Sequence, residues 1–174
     1  MDLHTPHTGG PLMAVELKNN IIIHWRVHGV PLRFNKMLIT DLHYISNDID
    51  EIAGGHHVIV FTFFAHLVFH PITFYVYEVA KICQSVVALL SRAPETTVII
   101  KSGNTAGLKN IFQSDWHVLQ LNTVMREMFR DIEGVIFLDV WQMTSCHYLH
   151  ENIHPGPVII ANDVDMLLSY VCPT

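Results

Sequence analysis

The sequence predicts an α/β fold, a mostly parallel sheet covered by helices on both sides. Three observations carry that reading. Short apolar runs alternate with longer stretches of helical spacing. Several of the short runs are almost continuously apolar, as strands buried on both faces are. The order is strict, β-α-β-α-β-α-β-α, which argues for parallel neighbours joined by helical crossovers. The chain has 174 residues, half of them hydrophobic, enough for one domain spanning 1–174 with a real core.

Residues 1–20 read as an irregular N-terminal segment, punctuated by Pro6, Gly9, Gly10 and Pro11. NIIIHWRVHG then alternates. Ile23, Trp25 and Val27 share one face and His24, Arg26 and His28 the other, which predicts a strand over 21–27. DLHYISNDIDEIAGG sets Leu42, Ile45, Ile49 and Ile52 at helical spacing, with Asp41 as N-cap and Gly54 and Gly55 as stop. HVIVFTFF, 57–64, reads as a strand buried on both faces. A long helix is predicted from Pro71 to Arg92, then a buried strand over 96–102. An amphipathic helix is predicted over 114–134, with Ser114 or Asp115 as N-cap and Gly134 as stop. A strand follows at 134–140, then a loop from Trp141 to Pro155. The last helix runs from Pro157 to Val171.

The formal net charge is −6, and no Lys/Arg cluster stands out, so nucleic acid and anionic membranes are poor partners. The first twenty residues lack the basic and apolar regions of a signal peptide. The apolar run from Val58 to Val68 is interrupted by Thr62 and His66 and is too short to span a bilayer. Cys83, Cys146 and Cys172 make an odd count. Cys83 fits the core side of a helix. Cys146 and Cys172 can pair with each other or with partners outside the chain.

In parallel sheets the ligand site lies beyond the carboxyl ends of the strands. His66, Asn104, Asp139 and the loop to His154 fall there. His154 precedes Pro155-Gly156-Pro157 and is a candidate base for activating a hydroxyl nucleophile. Such a base needs an acidic partner to fix its tautomer, and Glu151 or Asp139 is the candidate. The ordinary alternative is a loop histidine bonded to a neighbour. Asn104 ends the strand in the turn SGNT, where its amide can serve an oxyanion. Gly-Asn is also a common turn pair. His66 is a candidate substrate contact, or a strand-end histidine satisfied locally.

None of the seven serines lies in a Gly-x-Ser-x-Gly elbow or in a Gly-Asp-Ser turn after a strand. Cys146, beside His147, is a weak candidate thiol nucleophile. H-x-x-x-H recurs at His24/His28, His66/His70 and His150/His154 among thirteen histidines. Without the H-E-x-x-H arrangement, Cys146, His147, His150 and His154 are the one cluster worth testing for zinc. The preferred reading has no metal.

PITFYVYEVAKICQSVVALLSRAPETTVIIKSGNT, FRDIEGVIFLDVWQMT and HENIHPGPVIIANDVDMLLSYVC resemble the C-terminal part of the NXPE proteins. Those proteins carry a neurexophilin-like region followed by a PC-esterase domain. The resemblance covers about Leu3 to Cys172. Its motifs are R-x-P-x-T-x-V-I-I-K-x-x-N-T, D-x-W-x-M-T, and I-H-P before the last helix. PC-esterase domains are similar to SGNH/GDSL hydrolases. The implied fold is a flavodoxin-like three-layer sandwich. The implied chemistry is acyl-ester hydrolysis or O-acyl transfer on glycan hydroxyls, such as those of sialic acid on glycoproteins. No resident cofactor is implied, only an acyl donor such as acetyl-CoA if the reaction is a transfer. The implied partners are a glycan or glycoprotein substrate, and the implied location is the Golgi lumen or the secreted fraction.

Residue by residue, the resemblance makes His154 the catalytic histidine, Asn104 the oxyanion asparagine and His66 the histidine of a Gly-Gln-His block. Three departures stand out. That block reads Phe64-Ala65-His66, with Phe for Gly. The Asp-x-x-His of SGNH enzymes reads Glu151-Asn152-Ile153-His154. The Gly-Asp-Ser block on the first strand has no counterpart. The expectation is a partial PC-esterase domain lacking its first central strand, marginally folded and inactive by itself. Two functions compete for the parent protein. One is a serine acyl esterase or O-acyltransferase. The other is a non-catalytic, secreted, neurexophilin-like protein that binds a glycan or receptor.

Overall fold

The computed structural model describes residues 12–28, 43–107, 114–147 and 153–172. The chain divides into two compact units, Met1–Ile45 and Ser46–Thr174.

The first unit holds an antiparallel hairpin, β1 (Leu12–Glu16) and β2 (Ile21–Trp25), with Glu16 opposite Ile21. Part of the stretch expected to be irregular is thus a strand. The Glu16 carboxylate builds the turn. It accepts from the backbone N–H groups of Lys18 and Asn19, both at 2.8 Å, and from Asn19 Nδ2 at 2.9 Å. Those N–H groups hold its pKa below the usual glutamate value. Asn20 closes the turn at φ +56°, a left-handed conformation that asparagine tolerates. The expected 21–27 strand therefore pairs within a hairpin and does not join the parallel sheet. Every β2 residue is exposed, so its alternation marks no buried face.

The second unit is α/β. A short helix, α1 (Ile45–Asp50), ends before Gly54 and Gly55, whose φ values of +119° and +120° favour glycine. The expected cap, Asp41, lies outside the described residues. Then follow β3 (Val58–Phe61), α2 (Ile72–Arg92), β4 (Thr97–Lys101), α3 (Asp115–Phe129), β5 (Val135–Leu138), α4 (Trp141–Ser145) and α5 (Pro157–Val171). The strands pair in parallel in the order β3-β4-β5, with Ile99 beside both Val60 and Ile136. This mixed α/β unit, with its three-stranded parallel sheet, is compatible with a flavodoxin-like fold.

Side-chain alternation sorts the layers. Ile99 and Leu138 face α5, packing with Met166, Leu167 and Val171. Ile100 and its neighbours Phe61 and Phe137 face the opposite way. There Phe61 meets Phe129 of α3 at 6.2 Å between ring centres, and Arg126 lies over Phe137 at 4.3 Å. Helix α2 buries Tyr75, Val79, Ile82, Val86 and Leu89 at helical spacing. By length and composition it could also cross a membrane, and it is the one such helix among the described residues. Val98, Ile99 and Ile100 of central β4 are fully buried.

Strand β3, at the edge of the sheet among the described residues, departs from expectation. Val58 and Val60 are 45 % and 44 % exposed, because α5 packs over β4 and β5 rather than over β3. A second departure is α4, which forms inside the expected loop. Asp139 Oδ1 accepts the Trp141 N–H at 3.0 Å, and Thr144 Oγ donates to the oxygens of Val140 and Trp141. All three cysteines are free thiols.

Candidate functional site

The site is built where β4 ends, at residues 102–107. This turn is held by side chains from every element around it. Ser102 N–H donates to Leu138 O at 2.9 Å, extending the β4–β5 ladder by one bond. Ser102 Oγ accepts from Val140 N–H at 2.9 Å and donates to Asp139 Oδ1 at 3.4 Å. Gly103 follows, and a Cβ there would sit 2.7 Å from Val118 Cγ1 and 2.8 Å from Phe64 Cγ, so a larger residue would have to displace one of those side chains. Asn122 of α3 binds both sides of Gly103, accepting its N–H at 2.7 Å and donating to its oxygen at 3.1 Å. Thr144 Oγ accepts the Thr105 N–H at 3.1 Å. Asp115 accepts from Ala106 and Gly107, at 2.9 Å and 3.3 Å.

Asn104 sits inside this frame and is 3 % exposed. Its amide nitrogen donates to Thr105 O at 3.0 Å and to Ile153 O at 3.4 Å. Both N–H bonds of the amide are therefore engaged. The second bond reaches the residue just before His154. The structure thus joins two segments singled out in the sequence, 49 residues apart. His154 is exposed, two residues before the Gly156 that opens α5.

Asp139 goes elsewhere. Its Oδ2 takes Arg126 Nη2 of α3 at 2.6 Å, and its Oδ1 takes the Trp141 N–H and the Ser102 hydroxyl. Its carboxylate organises the end of β5 and the start of α4. Glu151 lies outside the described residues. His66 is half-buried in the turn after β3. Phe64, two residues earlier, is buried against Gly103. The Phe that stands in place of the Gly of the Gly-Gln-His block therefore fills the space beside the turn that carries Asn104.

Behind the turn, Lys101 Nζ lies 3.7 Å from Asp163 of α5 and donates to Ser102 O at 3.4 Å. Burial pushes the Lys101 pKa down and the Asp163 pKa up, and each charge partly offsets the other's shift. Asp163 Oδ1 is buried and has no hydrogen-bond partner among the described residues.

Among the described residues no group of three or more His, Cys, Asp or Glu side chains could hold a metal ion. The zinc cluster considered from sequence includes His150, which lies outside them. Ser102, at a strand end, is 2 % exposed and uses its hydroxyl for structure. An open groove of about 530 Å³ runs along Val87, Leu90, Pro94, Ile132 and Gly134. It lies at the amino end of β5, away from the turn.

Sequence reasoning missed Asn122, Thr144 and Asp115 as parts of this site. Asn122 gave one signal, a polar residue in the buried stripe Val118, Leu121, Met125 and Phe129. Thr144 closes the motif D-x-W-x-M-T. Asp115 read as a cap only.

The chain was compared with known protein families. Residues 1–172 match a family model described as NXPE family member 4-like, C-terminal domain.

Proposed function

The chain belongs to the NXPE family, and from that membership we propose that it forms part of an acyl-transfer domain. The reaction is hydrolysis or transfer of an O-acyl group on glycan hydroxyls, such as those of sialic acid on glycoproteins, in the secretory pathway. The observation that carries this reading is the bond from Asn104 Nδ2 to Ile153 O, which ties the oxyanion candidate to the loop of the candidate base.

In this reading His154 takes the proton from an attacking hydroxyl and returns it to the leaving group. The Asn104 amide donates to the oxyanion of the tetrahedral intermediate. To do so it lets go of Ile153 O, the longer and weaker of its two bonds. Asp139 is engaged by Arg126, so Glu151 is the acid this reading assigns to His154.

A second reading is a non-catalytic protein that binds a glycan or receptor. It is favoured by the burial of Asn104 and by Phe64 packed on Gly103. One experiment separates the two. The full-length protein is assayed for hydrolysis of aryl acetates and for acetyl transfer to sialylated glycoprotein, and the same preparation is screened for glycan binding. Turnover supports the acyl-transfer reading. Glycan binding without turnover or covalent labelling by serine-directed probes supports the second.

A further inference from the structure

We propose that Asn122 is the positioning residue of this site, setting the direction of the Asn104 amide through its clasp on Gly103. The inference rests on the acyl-transfer reading of Asn104. Asn122 belongs to the buried stripe of α3, between Val118 and Met125, and is 8 % exposed. An amide in such a place costs stability unless both of its ends are paired. Both ends pair with one residue, at 2.7 Å and 3.1 Å.

One donor and one acceptor side by side are what a neighbouring strand offers. Asn122 supplies them two residues past the end of β4, where the strand ladder has run out. The oxygen it binds belongs to the peptide plane shared by Gly103 and Asn104. The N–H it binds belongs to the plane before. Both planes flanking Gly103 are thereby fixed. Phe64 and Val118 crowd the side of Gly103 where a Cβ would stand. Thr144 holds the N–H of Thr105, on the far side of Asn104. Asn104 thus springs from a backbone held on both sides, and its amide is left to point at Ile153.

The test uses the full-length protein and three variants. Asn122→Leu removes both bonds. Asn122→Asp keeps the acceptor and puts a second oxygen against Gly103 O. Met125→Ala removes volume from the same stripe without touching Gly103. Hydrogen exchange at the Gly103 N–H and the resonances of the Asn104 side-chain amide are read by NMR. In Asn122→Leu the Gly103 N–H exchanges roughly 10-fold faster relative to Ile99 and Ile100, and the Asn104 amide resonances move. In Asn122→Asp the Gly103 N–H stays protected while the Asn104 resonances still move. Met125→Ala raises exchange along β4 without singling out Gly103. Gly103 exchange that only follows Ile99 in Asn122→Leu, or unmoved Asn104 resonances, overturns the proposal. In turnover, Asn122→Leu lowers kcat by roughly 10- to 100-fold with KM within about 2-fold. An equal fall in Met125→Ala overturns the positioning role. If the wild-type protein turns over no ester, the acyl-transfer reading fails while the exchange result still decides the clasp.

Discussion

The side-chain amide of Asn104 donates to the backbone oxygen of Ile153 at 3.4 Å, joining the end of β4 to the residue before His154. Its other donation, to Thr105 O at 3.0 Å, engages the second N–H of this buried side chain. Asn104→Ala removes both and should cost about 1–3 kcal/mol. Asn104→Asp should cost more at neutral pH, because a carboxylate then faces two carbonyl oxygens with no proton to offer. Urea unfolding of the two variants beside wild type checks the order. Asn104→Asp as stable as wild type would mean that the amide makes neither bond.

Lys101 and Asp163 form a mostly buried pair whose charges are poorly solvated. Lys101→Met should destabilise by about 3 kcal/mol, because it strands the Asp163 carboxylate. Lys101→Met with Asp163→Leu should recover most of the loss. The pH dependence has a defined sign. Burial raises the Asp163 pKa from its ordinary value of 3.8, so its contribution is most favourable below that value and is lost as pH rises through the folded one. Losing the Lys101 charge raises it further. The deficit of Lys101→Met should therefore shrink as pH falls toward 4, as thermal melts across pH would record.

Arg92, at the last residue of α2, donates to Ile49 O at 2.8 Å, Asp50 O at 3.1 Å and Ile52 O at 3.2 Å. These carbonyls lie at and just beyond the end of the short helix α1, where only Ile49 O also takes a backbone donor among the described residues, the Ile52 N–H at 3.3 Å. Arg92→Met should raise hydrogen exchange over residues 45–52 roughly 10-fold, while β4 stays protected. Unchanged exchange there would show that α1 is held by Ile49 burial alone.

The thiols should separate by reactivity. Cys83 donates to Met128 O at 3.6 Å, and burial pushes its pKa up to about 11. Cys146 and Cys172 are exposed. Iodoacetamide at pH 8 should label the two exposed thiols first and leave Cys83 for last. Peptide mass mapping of the time course checks this, and early labelling of Cys83 would refute its burial.

How much of this was legible in the sequence follows from the range of each interaction. The run VIIK and the stripe of α2 are local patterns, and both elements lie within a residue or two of the expected bounds. The β1–β2 hairpin was half legible. IIIHW reads as a strand, but its partner LMAVE lies in a stretch read as irregular, and the four-residue turn between them depends on the Glu16 carboxylate. HVIVFTFF read as doubly buried, and composition cannot tell that β3 lies at the edge of the described sheet, beyond the reach of α5. The turn at 102–107 was legible as a turn that carries the Asn104 amide. Its clamps were not, because Asn122 lies 19 residues beyond Gly103 and Thr144 lies 39 beyond Thr105. Only tertiary structure brings them together. Asp139 illustrates the converse. Its place at a strand end suggested a partner for His154, yet Arg126, thirteen residues upstream on α3, takes its carboxylate.

The central claim is that Asn104 and His154 act in one acyl-transfer site. The measurement that tests it most directly is a double-mutant cycle on acyl-ester turnover by the full-length protein, using His154→Ala, Asn104→Ala and the pair. The account predicts that each single change lowers kcat by roughly 10²- to 10⁴-fold. The double variant should be little worse than His154→Ala, because groups serving one transition state are non-additive. Retained turnover in a folded His154→Ala protein would contradict it.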